Sequence, residues 1–360
     1  MTVASRDARA SAGRREERRM SDARLLRSRL PIVAAPMAGG PSNVPLARAV
    51  SGAGAFPFLA GGYKTATALA DEIAEVRELG VDYGVNLFVP STDLVDERAF
   101  AAYAEELRTE ADAYGLQFEL APLSDDDRWD EKLHLLHTQP VPVVSLTFGL
   151  PDAADIRALQ DVGTRVLASV TTPYEARLAE GAGANGLVVQ GPRAGGHSAT
   201  FDATRTLDDI PTTDLVREVR AVTDLPLIAA GGVDGPAAVR DLLDAGAEGV
   251  AVGTLLLRSD EAGTSPTHKD ALGDPAYTDT VLTRAFTGRP ARALRNGFID
   301  RHQETGLNAY PAVHHLTRAL RQAASKAGDA DRLHLWAGTG WRNATPRPAA
   351  DIIRHLAEGL

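Results

Sequence analysis

Eight short aliphatic runs, separated by longer amphipathic segments, govern what this chain can fold into. They are PIVAAP (31–36), AFPFLA (55–60), DYGVNLFV (82–89), PVVSLTF (142–148), TRVLASV (164–170), NGLVVQG (185–191), LPLIAAGG (225–232) and EGVAVGT (248–254). Each run is almost continuously apolar, the pattern of a strand covered on both faces in a parallel sheet. The segments 67–80, 152–163, 172–182 and 235–247 read as crossover helices, and Gly80, Gly163 and Gly246 stand where a left-handed residue closes a helix. Eight such units favour a closed barrel over an open doubly wound sheet, so the expected fold class is α/β, a (β/α)8 TIM barrel.

Two stretches break the repeat. Residues 90–140 are too long for one crossover and carry the acidic string SDDDRWDEK (124–132), which predicts an extra helical segment inserted after strand 3. Residues 259–345 follow the eighth strand and are expected to form a C-terminal helical cap over the barrel mouth, with a last helix in 346–360. The barrel itself then spans 30–258. Residues 1–29 hold clustered arginines and no apolar core of signal-peptide length, so they read as a disordered tail, with Met20 a second candidate start.

Composition narrows the function classes. A formal charge of -10 gives no global attraction for nucleic acid, and no run approaches the ~18 apolar residues of a membrane helix. A cytoplasmic, soluble protein is expected, with oligomerisation left open. The chain has no cysteine, which removes disulfides, thiolate metal sites and cysteine nucleophiles, and no metal is assigned.

In a barrel of this kind the chemistry lies at the carboxyl ends of the strands. Strand 7 closes on Gly231 and Gly232, and strand 8 on Ala251, Val252, Gly253 and Thr254. Small residues there let backbone N–H groups approach a phosphate. Strand 6 closes on Gln190 and leads into a loop with Gly195, Gly196 and His197; strand 3 carries Asn86; strand 1 closes on Pro36 and Met37 before AGG (38–40). Two amides, an apolar platform and a phosphate grip describe a site for a planar phosphorylated heterocycle, and FMN fits best.

The strings APMAGG (35–40), GVNLF (84–88), VSLTFGLP (144–151), VVQGPRAGGH (188–197), AAGGV (229–233) and VAVGT (250–254) occur in that order, joined by ALRNGFID (293–300) and LWAGTG (335–340). Over roughly residues 30–342 the chain resembles the nitronate monooxygenase family, once called 2-nitropropane dioxygenases. The resemblance implies FMN contacted by Asn86, Gln190, Gly195, Gly232 and the stretch Ala251 to Thr254. It also implies a position for a catalytic base, where family members of the best-understood class have a histidine and this chain has Thr147. A hydroxyl has no basic form near neutrality, so Thr147 can hydrogen-bond a nitro oxygen but cannot remove a carbon-bound proton unaided.

The nearest other base is His197, which can equally hydrogen-bond the flavin. His314 and His315 fall on an expected helix, His268 in a loop, and His134 and His137 on a solvent face. The expected activity is FMN-dependent oxidation of alkyl nitronates with O2 to a carbonyl product and nitrite. The alternative is an FMN-dependent NAD(P)H reductase of a quinone or enoyl thioester. A flavinless phosphate-binding barrel is the third reading. Inosine monophosphate dehydrogenases share the glycine turns but need a cysteine, which excludes them.

Overall fold

The computed structural model describes residues 25–91 and 94–360. All eight runs become strands of one parallel sheet: β1 (Ile32–Ala34), β2 (Phe58–Ala60), β3 (Gly84–Phe88), β4 (Val143–Thr147), β5 (Arg165–Val170), β6 (Gly186–Gln190), β8 (Leu227–Ala230) and β9 (Gly249–Val252). A two-residue strand in the loop after β6, β7 (Gly196–His197), belongs to a different sheet. The barrel order is β1-β9-β8-β6-β5-β4-β3-β2. Val33 pairs in parallel with Phe56, just ahead of β2, so the two edge strands meet.

Inside, Val33, Phe56, Phe58, Val143, Leu167, Ile228 and Ala251 pack as one cluster that also takes Leu25. Leu25 is buried, and a β-carbon added at Gly186 would lie 2.9 Å from its Cδ2. Arg29 donates to Ala53 O at 2.9 Å. The tail expected to run to residue 29 therefore gives way to packed chain by residue 25, because Leu25 has an apolar partner inside the barrel; the rest of that expectation lies outside the described residues.

Outside, the crossover helices fall where the periodicity places them, at Ala66–Arg77, Ala153–Asp161, Pro173–Gly181 and Pro236–Asp244. Asn43, Thr65 and Thr172 cap helix starts by accepting from Leu46 N, Ala68 N and Glu175 N. Gly80, Gly163 and Gly246 take φ of 66°, 90° and 109° directly after helices, as their stop signals predict.

The long segment after β3 holds three helices. Trp129–Thr138 is the crossover helix of the barrel, burying Leu135 and Leu136 against Leu69, Ile73 and Ile156. The insertion is Glu97–Glu106 with Arg108–Asp112; it buries Phe100, Tyr103 and Leu107 against Phe286, Phe298, Val313 and Leu320 of the chain beyond the barrel.

That later chain is helical in part and also carries strands. Alongside helices Pro266–Ala271, Gly297–His302 and Ala312–Ala327 it has two strands, β10 (Thr280–Thr283) and β11 (Ala291–Leu294). β11 lies between β10 and β7, antiparallel to both. The strands form because the glycine loop after β6 offers an edge for β11 to pair with, a partner almost a hundred residues away in sequence. The last helix, Ala349–Leu356, buries Ile353 and Leu356 in the cluster of Leu46 and Val50 and covers the outside of the barrel.

Candidate active site

Four stretches of backbone meet at one end of the barrel mouth. Gly231 and Gly232, after β8, take φ of 109° and 77°, conformations that favour glycine. A β-carbon on Gly231 would lie 2.9 Å from Ala194 N, and one on Gly195 only 2.5 Å from Gly338 N. Gly338 N donates to Thr254 Oγ1 at 2.9 Å, and Thr339 N to Arg193 O at 3.1 Å. The two glycine turns expected to grip a phosphate are thus joined by a third element, the AGTG segment at 337–340. Its spacing of glycines was visible in the sequence, but its place in the chain gave no hint that it returns to β6 and β9.

Val252 turns its side chain into the helix layer and Ala251 into the barrel, so Gly253 and Thr254 present the open backbone. A β-carbon on Gly253 would touch Met37 Sδ at 3.4 Å, which places the Pro36–Met37 end of β1 beside this turn. Met37 N donates to Ser42 Oγ at 2.8 Å and fixes that loop.

A ladder of polar side chains lines the neighbouring strands. Asn86, Ser145 and Thr147 share one face because residues two apart on a strand point the same way. Asn86 Nδ2 donates to Ser145 Oγ at 2.9 Å and to Thr147 Oγ1 at 2.8 Å; Thr147 Oγ1 lies 3.4 Å from Ser169 Oγ on β5. Gln190 was expected to offer its amide to a heterocycle edge. Its Nε2 donates to His197 O at 3.1 Å and its Oε1 accepts from Ala199 N at 2.7 Å, so one of its two hydrogens and one of its two lone pairs hold the glycine loop in shape.

His197 projects into an aromatic wall. Its ring centroid is 5.7 Å from Phe148, 5.5 Å from Tyr310 and 5.4 Å from Trp336, and Nε2 lies 2.9 Å from Thr287 Oγ1. Burial, with help from the positive charges of Arg289 and Arg321, pushes its pKa down to about 3. Burial in this wall favours the neutral ring, a form that can either accept or donate a hydrogen bond.

Phe148 and Tyr63, both in this wall, have φ of 83° and 65°. Such backbone is costly for non-glycine residues and persists only where neighbours hold it. Tyr63 N donates to Asp127 Oδ1 at 2.8 Å, its ring stacks on His314 at 4.2 Å, and its hydroxyl is 3.3 Å from that of Tyr310. Burial raises the Tyr63 phenol to about 12. Asp127 is held by Lys132 at 2.7 Å, and Asp125 by His315 at 2.8 Å. The acidic string that leads into the crossover helix Trp129–Thr138 thus folds onto the mouth.

Two guanidinium groups stand behind the wall. Arg289 lies 4.1 Å over the Phe148 ring and donates to Ser198 O at 3.3 Å and to Thr200 O. Arg321, on Ala312–Ala327, donates to Thr317 Oγ1 at 3.0 Å and His314 O at 2.9 Å. His314 lies on a helix as expected and is buried, while His134 and His137 are exposed as expected. His268 is buried and pairs with Trp336 O at 3.1 Å. None of Tyr63, Arg289, Tyr310, Arg321 or Trp336 was singled out from sequence, because each reaches the mouth from a loop or cap segment whose packing depends on distant partners.

A family model described as nitronate monooxygenase matches residues 24–359. A probable nitronate monooxygenase of Staphylococcus saprophyticus is 35% identical over 341 residues, covering 93% of this chain and 95% of the relative. Among solved structures, the nitroalkane oxidase of Streptomyces ansochromogenes is 45% identical with a TM-score of 0.87, covering 92% of this chain and 95% of that one. FabK of Thermotoga maritima is 26% identical with a TM-score of 0.72, covering 94% of both.

Proposed function

Because the chain belongs to the nitronate monooxygenase family, whose flavin-dependent oxidoreductase character it shares, we propose that it binds FMN and oxidises alkyl nitronates with O2. The residues fit such a cofactor. The cradle of Gly195, Gly231, Gly232, Gly253 and Gly338 is built so tightly that β-carbons at Gly195, Gly231 and Gly338 would collide with backbone, as a backbone phosphate grip requires. Asn86 lies on β3, Gln190 ends β6 and Met37 follows β1 beside Gly253. When bound, the flavin would accept the electrons of the substrate and return them to O2. The protein's part is to bind, orient and exclude water.

The observation that carries the nitronate reading is Thr147, a hydroxyl at the position where the resemblance implies a base, held by Asn86 Nδ2 at 2.8 Å. His197 is pushed down to about 3 and Tyr63 up to about 12, and His314 is also held well below its ordinary value by burial and Arg321. A neutral nitroalkane needs its α-proton removed. A nitronate has already lost it, so hydrogen bonds and a positive surround suffice. Thr147, held as an acceptor by Asn86 Nδ2, keeps its own proton available to donate to a nitro oxygen.

The test is nitrite release under air from preformed ethyl nitronate and from neutral nitroethane. The expected kcat/KM for the nitronate exceeds that for nitroethane by at least about tenfold, a difference of ~1.4 kcal/mol in transition-state stabilisation. Equal values would sink the reading.

A further inference from the structure

Arg321 is a buried cation whose partners are neutral. Its side chain is 6% exposed. Besides Thr317 Oγ1 and His314 O, its guanidinium lies 3.2 Å from His314 Nδ1 and 3.4 Å from His334 Nε2. A guanidinium has no acceptor, so both ring nitrogens are lone-pair acceptors and both imidazoles are uncharged. His334 then carries its proton on Nδ1, a buried atom without a hydrogen-bond partner. Among the described residues no carboxylate forms an ion pair with Arg321; the charged and titratable groups that act on it are Tyr63, Tyr310 and Arg318, together with the two histidines. Asp127, the carboxylate that acts on Tyr63 and Tyr310, is paired with Lys132 at 2.7 Å.

An uncompensated buried guanidinium is expensive, and proteins keep such a group where an anion completes it. A chain of contacts joins it to the mouth: Arg321 donates to His314 O, the His314 ring stacks on Tyr63 at 4.2 Å, the Tyr63 and Tyr310 hydroxyls are 3.3 Å apart, and the Tyr310 ring lies 5.5 Å from His197. We infer that Arg321 is a specificity-determining positioning residue: through the His314–Tyr63–Tyr310 wall it makes the mouth select the anionic form of the substrate over the neutral form of the same shape. This inference rests on the nitronate reading for the identity of the substrate but not for the existence of an anion site.

The experiment titrates nitrate, a planar monoanion, into the oxidised holoenzyme and follows the flavin absorbance, with urea as the planar neutral control. Wild-type protein should bind nitrate competitively with propyl nitronate and show no saturable response to urea. Arg321→Met should weaken nitrate binding and raise KM for propyl nitronate about tenfold each, with kcat changed by less than about twofold. Arg321→Lys should recover most of both losses, because it restores charge but not the forked geometry. The His197 ring, followed by NMR, should titrate at a higher pH in Arg321→Met than in wild type.

A folded, flavin-replete Arg321→Met with unchanged nitrate affinity overturns the inference, as does an Arg321→Lys that loses as much as Arg321→Met. If Arg321→Met does not fold, the wild-type comparison decides: equal responses to nitrate and urea overturn it. Should nitrate bind in an Arg321-dependent way while propyl nitronate is not oxidised, the substrate proposal falls and the anion site stands.

Discussion

Gly195 and Gly338 pass so close that a methyl group on either would meet backbone within 2.7 Å. Neither contact is with a flexible side-chain end, so relief requires moving the loop itself. Gly195→Ala is therefore expected to lower flavin retention by at least about tenfold while leaving the far-UV spectrum unchanged, a loss of about 1.4 kcal/mol of binding. Flavin absorbance after gel filtration checks it, and full retention would show that the loop gives way without cost. At His197 the expectation concerns pH. With a folded pKa of about 3 the ring stays neutral through the working range, so kcat/KM for a nitronate should show no His197 inflection between about pH 5 and 8. An inflection near 6.5 that vanishes in His197→Gln would contradict that environment. The positions of Gly231, Gly232, Asn86 and Gln190 on or just after strands were legible in sequence because apolar runs locate the strands of a barrel. The committed amide of Gln190 and the depressed pKa of His197 were not, since both arise from the fold of the 190–199 loop and from arginines about ninety or more residues further on.

At the scale of elements, the helix stop signals and apolar runs carried the barrel, because each strand and helix there is specified by local pattern. β10 and β11 escaped that logic; their pairing with β7 depends on an edge made by the glycine loop. The insertion Glu97–Asp112 was legible only as excess length, and its role appears in packing: Phe100 and Tyr103 complete the core of the cap. Phe286 is the centre of that core, fully buried, stacked on Phe298 at 4.5 Å and edge-on to Trp336 at 5.9 Å. Phe286→Ala should cost about 3–5 kcal/mol by leaving a cavity between cap and insertion. Urea unfolding with tryptophan fluorescence measures it, and a loss below about 1 kcal/mol would mean that the cap and insertion do not share a core.

For the whole molecule, the cap and barrel enclose histidines that folding holds neutral. His197 and His268 are pushed down to about 3 and about 4, and His314 and His334 are lowered as well, in each case chiefly by burial. A folded pKa below the unfolded value means that the unfolded chain binds protons first. The stability these groups contribute is complete above about pH 6.5 and drains away toward pH 3, at up to ~1.4 kcal/mol per pH unit for each ring. Urea midpoints should fall between about pH 7 and pH 5, ahead of the usual carboxylate range, and a flat profile there would contradict the enclosed histidine cluster. The same enclosure, with Arg289 and Arg321 behind an aromatic wall, underlies the proposal that the mouth takes an anion that has already lost its proton. The most direct check of that account is anaerobic mixing of the flavin-loaded protein with propyl nitronate, NADH and NADPH in separate runs, followed by flavin absorbance. Rapid bleaching by propyl nitronate with slow or no bleaching by either nicotinamide is the predicted result; rapid bleaching by NADH or NADPH with none by the nitronate would contradict it.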